Sequence, residues 1–328
     1  MGSKVVICGA GFLECIQGSN IAKALATSNV PHQVQISSRS PQRTFDGLRR
    51  VITAEQLLPP AAADVTKPDS LLKAFRGADL VVSLVGVMHG SPEDFERIQW
   101  KGAENVARAA KDVGAKLVHF SAIGADANSE IPYARTKAFG EAAVFQVHPQ
   151  ATVIRPSIVF GPGDGFFPRF AQLSQVLPFL PVFGGGTALF QPVFVGDIAR
   201  VVEIIARNDK DVDNLVQGKI IEAGGPEVFT YRELMGAVLT YAGRYRPVIS
   251  LPFALGTMQG YVMEKLPMNL FTVTRAQVEQ LKSDNVVNSS PSAKHVSFKD
   301  LVEAHSPTSL RSIHEILPTY LKECSSVF

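Results

Sequence analysis

The chain has 328 residues, 46% of them apolar, which is enough for one large α/β domain or a domain with an appended lobe and makes disorder an unneeded assumption. Lys plus Arg is 32 and Asp plus Glu is 30, a formal balance of +2 that gives no electrostatic case for nucleic acid as a partner. Cys8, Cys15 and Cys324 are too few and too scattered for a disulfide framework or a zinc site and read as reduced thiols of an intracellular compartment; no apolar run approaches the roughly 20 residues of a membrane span.

The first strand pattern, KVVIC, begins by Lys4, so no signal or transit peptide is expected ahead of it. Gly9-Ala10-Gly11 follows, then an amphipathic helix. Glycines at such a turn let backbone approach a pyrophosphate, and the helix N-terminus offers it free N–H groups. In a GxGxxG fingerprint the third glycine would stand at Glu14, whereas here it arrives at Gly18. Deleting Glu14 to Gln17 on paper restores GAGFLGSNIAKAL, so ECIQ reads as an insertion. Four residues amount to about 400° of helix and roughly 6 Å of rise. They either bulge as a wider loop or displace the helix N-terminus, and Glu14 adds a carboxylate that competes with the phosphates. Weakened dinucleotide binding is the expected direction.

The second strand ends at Ser37, Ser38 and Arg39 in place of the acid that would meet the ribose hydroxyls of NAD. Arg39 can fork onto a 2′-phosphate and Ser38 can donate to it, which favours NADP(H) over NAD(H). Asp64, after the third strand, is placed either for the adenine amino group or to cap the helix near Pro68. Strand and helix patterns then alternate through DLVVSLVG, FERIQWKGAENVARAAKDVG, KLVHFSA, YARTKAFGEAAVFQV and TVIRPSIVFG. That alternation predicts an α/β fold, a Rossmann-like doubly wound parallel sheet with a smaller C-terminal lobe. Residues 1–159 are assigned to the dinucleotide domain and 160–328 to a substrate or partner lobe on the sheet's carboxyl edge.

Ser121 closes the fifth strand, and Tyr133 and Lys137 follow at a spacing that shares one helix face. An ammonium beside a phenol lowers its pKa, so the tyrosine can exchange a proton with a carbonyl or alcohol while the serine holds the same oxygen. His119 reads as a sheet residue, and the seven histidines show no metal-ligand spacing. Beyond Gly161 the chain turns Pro- and Phe-rich, and Phe166, Phe167 and Phe170 would make a substrate side apolar. KIIEAGG supplies one more strand. The segment 251–271 spreads Phe253, Met258, Val262, Met263 and Leu266 in a loosely helical pattern, which suits either the core of the lobe or contact with lipid or quinone tails.

Taken together, GxGFL, SRxPQR, AADV, SLVG, FSAIGAD, YARTKAFGE, VIRPSIVFGPGD, FQPVFVGDIA and EAGGPEVFTYRELM resemble an atypical or extended short-chain dehydrogenase/reductase. Within that family the chain is most similar to the branch of the accessory subunit nine of the mitochondrial complex I alpha subcomplex, which also has bacterial relatives and a fungal relative linked to coenzyme Q biosynthesis. The resemblance implies catalytic roles for Ser121, Tyr133 and Lys137. It implies NADP(H) held by Gly9, Gly11, Phe12, Leu13, Gly18, Ser38, Arg39, Asp64, Val85 and Lys137, with Pro156 and Ser157 near the nicotinamide. It also implies a mitochondrial location, in the matrix or at the inner membrane, within a protein assembly. Three readings stay open: an active NADP-dependent oxidoreductase, a subunit that keeps the dinucleotide as a structural staple, and a lipid-associated module.

Overall fold

The computed structural model of the chain describes residues 2–9, 15–30, 32–88, 90–267, 269–290 and 292–324. It divides into two compact units, Met1–Pro156 with Val195–Ala223 and Asn288–Leu310, and Ser157–Phe194 with Gly224–Val287 and Arg311–Phe328. In place of a single boundary at 159/160, the chain passes back and forth between the units, because strands late in the sequence return to the first one.

The first unit is built on one sheet of β1 (Lys4–Cys8), β2 (Gln33–Ser38), β3 (Ala61–Ala62), β4 (Leu80–Ser83), β5 (Lys116–Phe120), β6 (Thr152–Pro156), β7 (Ile220–Ala223) and β8 (His295–Ser297). The order is 8-7-6-5-4-1-2-3, and every pairing is parallel. Sequential strands run outward from β1 in one direction to β3, then restart at β4 on its other side. That reversal is the mark of a doubly wound sheet. The strands read as apolar runs, not as alternations, because helices cover both faces; all four residues of β4 are buried.

Helices α1 (Cys15–Ala26), α2 (Pro68–Phe75), α3 (Lys101–Asp112), α4 (Pro132–Val147) and α5 (Val195–Ala206) supply that cover. Val6, Cys8, Val81 and Leu117 pack with Leu71 and Phe75 of α2, Ala103, Val106 and Ala110 of α3, and Val144 of α4. Val5 and Ile7 alternate to the other face, while α1 and α5 pack on each other and bury Ile21, Leu25, Ile198 and Val202 among their residues. Asp197 lies fully buried in the first turn of α5, where Arg200 donates to its carboxylate. The pattern from Phe95 to Gly114 was read as one helix. It is a π-helical turn at Phe95–Trp100, preceded by a short helical turn at Pro92–Asp94, and then α3.

The second unit holds an aromatic core of Phe160, Phe167, Phe190 and Tyr231, with Phe166 and Phe170 packed against it. Phe167 is fully buried there, so it belongs to that core and lines no open side. Asp164 fixes the loop before it, accepting from the N–H groups of Gly161, Phe166 and Phe167 and from the Tyr320 hydroxyl. Burial pushes its carboxyl above the ordinary range despite those bonds. The helix Phe253–Met263 is inverted relative to a normal surface helix: its buried residues are Gly256 and Gly260. A Cβ at Gly256 would stand 2.8 Å from the Phe183 ring, and one at Gly260 would stand 2.7 Å from the Arg275 nitrogen. The large apolar side chains Leu255, Met258, Tyr261 and Val262 are outside, followed by Leu266 and Phe271. Among the described residues no helix is long and apolar enough to cross a membrane.

Candidate active site

The carboxyl ends of the strands converge where the strand order reverses, between β1 and β4. Gly9 leaves β1 with φ +92°, donating its N–H to Ser37 O at 2.9 Å. A Cβ there would lie 3.0 Å from the backbone of Leu84, so only glycine lets this turn pass the exit of β4. Gly11, Phe12, Leu13 and Glu14 lie outside the described residues. Helix α1 starts at Cys15, so Ile16 and Gln17 extend the helix towards its N-terminus, and Gly18 is buried within its first turn.

At the end of β2, Ser37 is fully buried, Ser38 is half-buried and Arg39 is exposed. Asp64 stands near Arg39 because Ala63 N–H donates to Ser38 O, joining the two strand ends at 3.0 Å. The Asp64 carboxylate accepts from Thr66 N–H at 3.0 Å and from the Thr66 hydroxyl at 2.8 Å. Those bonds, chiefly the backbone one, with Lys67 and Arg39 adding charge, hold its carboxyl below the usual range. Helix α2 begins after Lys67 without a side-chain cap. Asp64 therefore closes its own turn and leaves the helix end open.

Lys137 is 6% exposed, and its ammonium donates to Val85 O at 3.2 Å and Phe120 O at 3.0 Å. It thus spans the exits of β4 and β5. Ser121, one residue beyond β5, is buried and its hydroxyl has no partner among the described residues. Tyr133 sits half-buried one turn before Lys137, its ring edge-on to Phe95 at 6.4 Å. The structure thus brings Lys137 to the residue before Ser121 and keeps Tyr133 one turn away on the same helix; a cation, a phenol and a hydroxyl are the group types that hold an oxygen and pass it a proton. Pro156 O accepts from Ile123 N–H, tying the end of β6 to the segment after Ser121. Ser157 belongs to the second unit, where its hydroxyl donates to Asn285 O at 2.9 Å and accompanies Asn285 Oδ1 at 2.6 Å. Gly9, Ser38, Arg39, Asp64, Val85, Ser121, Tyr133, Lys137 and Pro156 all belong to the first unit.

His119 is buried in β5, with Nδ1 against Ser83 Oγ at 3.1 Å. Burial first, and the Lys137 charge second, lower its pKa from 6.5 to about 3. In the unfolded chain it takes up a proton below pH 6.5, while the folded chain refuses one until about pH 3. Its contribution is therefore complete above pH 6.5 and lost as the pH falls through that window, by up to about 1.4 kcal/mol per pH unit. Burial lowers His32 in the same direction. Replacing His119 by Gln is expected to flatten the acid limb of stability between pH 6.5 and 5, read from urea midpoints; an unchanged slope would show that His119 does not set it.

Sequence reasoning missed the π-turn and Gln99 within it. Phe95, Gln99, Ala103 and Ala107 share one helical stripe, and a glutamine in a buried stripe was the available signal.

The fold is that of a nucleotide-binding α/β protein, with Lys137 across the exits of β4 and β5 and Ser121 just beyond β5. The chain belongs to the NAD dependent epimerase/dehydratase family, which it matches over residues 5–224. It is 30% identical over 243 residues to the mitochondrial NADH dehydrogenase [ubiquinone] 1 alpha subcomplex subunit 9 of Arabidopsis thaliana, a match covering 70% of this chain and 60% of that protein. It is 29% identical over 252 residues to the ceramide reductase of Caulobacter vibrioides, covering 76% and 73%. In fold it is similar to the Streptomyces venezuelae dTDP-glucose 4,6-dehydratase DesIV with NAD and TYD bound, with a TM-score of 0.69, 18% identity, and coverage of 97% of this chain and 96% of that one.

Proposed function

We propose that this chain is an NADP(H)-dependent oxidoreductase acting on an apolar carbonyl or alcohol. The observation that carries the reading is Lys137: an ammonium buried at 6% exposure is costly to desolvate, and here it is fixed by two carbonyls one turn from Tyr133. Ser121, whose buried hydroxyl has no partner among the described residues, is suited to bond a ligand there. When bound, the nicotinamide supplies or accepts hydride. Ser121 then holds the substrate oxygen, Tyr133 delivers or removes the proton at that oxygen, and Lys137 favours the phenolate and meets the ribose. Gly9 admits the pyrophosphate, while Arg39 and Ser38 read the 2′-phosphate. The similarity to a ceramide reductase agrees with an apolar substrate. The test is NADPH oxidation by the full chain with long-chain aldehydes and ketones in detergent, compared with Tyr133→Phe.

A second reading is favoured by the similarity to alpha subcomplex subunit 9. In it the dinucleotide is retained as a stabilising ligand inside a mitochondrial assembly, in the matrix against the inner membrane, as for a complex I subunit or a coenzyme Q pathway protein. Binding alone stabilises a fold by mass action. The inverted helix Phe253–Met263 supports a lipid- or quinone-facing surface: Met258 is 64% and Tyr261 54% exposed, and Lys265 lies 4.2 Å over the Tyr261 ring. The chain is expected to float with vesicles containing anionic lipid and the Met258→Asp variant to remain at the bottom. Equal flotation of both, or of neither, would remove this surface from the account.

A further inference from the structure

We propose that Gln99 is the positioning residue for Tyr133, clasping the first turn of α4 to the loop that holds the Lys137 ammonium. The inference rests on the reading of Tyr133 and Lys137 as the proton-transfer pair.

Gln99 is 1% exposed, and its amide is used at both ends. Its Nε2 donates to the backbone carbonyl of Tyr133 at 2.9 Å and to Thr136 Oγ1 at 3.2 Å, while its Oε1 accepts from Val87 N–H at 3.2 Å. Val87 follows by two residues the carbonyl that takes Lys137 Nζ. One side chain thus joins the peptide of the tyrosine to the segment that fixes the lysine. Thr136 passes the tie onward by donating to Pro132 O at 2.7 Å, at the start of α4.

The backbone around Gln99 is shaped for this task. It lies in the π-helical turn Phe95–Trp100, where an extra residue per turn changes the aim of a side chain relative to a regular helix. The same turn touches the tyrosine ring through Phe95 and the outer face of α4 through the Trp100–Phe139 pair at 5.0 Å. At Gly140 the two helices come so near that a Cβ would stand 2.8 Å from Gln99 O. A regular α-helix, without the extra residue, would turn Gln99 around the axis by up to about 100°, roughly a quarter of a turn. Single π-turns inside α-helices occur frequently at functional sites.

The experiment is a carbon-13 titration of tyrosine-labelled full chain, with the Tyr133 signal assigned by its loss in Tyr133→Phe. Lys137→Met tests the underlying pair and is expected to move the Tyr133 midpoint to higher pH. Gln99→Met, nearly isosteric and apolar, is expected to move it the same way, leaving about tenfold less phenolate at a fixed pH below the midpoint. Thr136→Val removes one acceptor of the Gln99 amide and is expected to give a smaller shift in the same direction, so the proposal stays testable if Gln99→Met does not fold. A purely structural glutamine would lower thermal stability and leave the Tyr133 midpoint of the folded chain in place. If Lys137→Met shifts Tyr133 while neither Gln99→Met nor Thr136→Val does, the positioning role is overturned and the pair survives. If Lys137→Met does not shift it, the pair fails and the positioning role with it.

Discussion

Tyr133→Phe is expected to lower NADPH-dependent turnover of an apolar carbonyl by about 10²–10⁴-fold, the usual share of a positioned acid–base group. The phenol is the group of the set that can give up a proton, because Lys137 already spends donors on Val85 O and Phe120 O, and Ser121 is suited to hold the oxygen. Removing only the hydroxyl leaves the edge contact with Phe95. Dinucleotide affinity should therefore stay nearly unchanged, so that the loss appears in kcat. A chain that binds NADPH but shows the same turnover with and without the Tyr133 hydroxyl would favour the structural-cofactor reading.

Arg155→Met is expected to destabilise the first unit by about 3–5 kcal/mol, the cost of leaving buried charge unpaired. On β6 the guanidinium donates to both carboxylate oxygens of Glu141, at 2.8 and 2.6 Å, and reaches Glu222 at 3.4 Å. The Glu141 side chain is 6% exposed and that of Glu222 is 11%. Methionine keeps most of the stem's packing but strands Glu141, while Glu222 keeps the Asn288 N–H at 2.8 Å. The bonds to Glu141 stand one turn beyond Lys137 on α4, so the same network anchors the helix that carries the site. The check is urea unfolding followed through Trp100, the single tryptophan of the sequence. The double variant Arg155→Met with Glu141→Leu should recover much of the loss, whereas equal instability of the two would mean that the ion pair is not its source.

The alternation of apolar runs and amphipathic helices made the doubly wound sheet legible, because strands buried on both faces and helices buried on one leave different periods. Ser121, Tyr133 and Lys137 were legible as residue types at a spacing, and Lys137 does lie across the exits of β4 and β5. What was hidden has physical reasons. The edge strand β8, His295–Ser297, is three residues of mixed polarity whose pairing with β7 is set by the sheet and by no pattern of its own. The π-turn leaves no mark on composition, since its extra residue shows only when Gln99 finds Tyr133 and Val87. Ser157, one residue after Pro156, passed for a continuation of β6 but lies in the second unit, held by Asn285. A large apolar helix reads as core by default, and only the close approaches at Gly256 and Gly260 reveal that its small side was the one turned inward.

The measurement that goes to the centre of the matter is a fluorescence titration of the full chain with NADPH and, in parallel, NADH. On the proposed reading, Gly9 at the switch point, Arg39 and Ser38 at the end of β2, and buried Lys137 are expected to bind NADPH, with the Glu14 to Gln17 insertion weakening the pyrophosphate contact. NADH should bind at least about tenfold more weakly, and Arg39→Ala should abolish that difference, as loss of a charge-assisted contact would. Failure of both nucleotides to bind, even after deletion of Glu14 to Gln17, would contradict a dinucleotide site at this crevice.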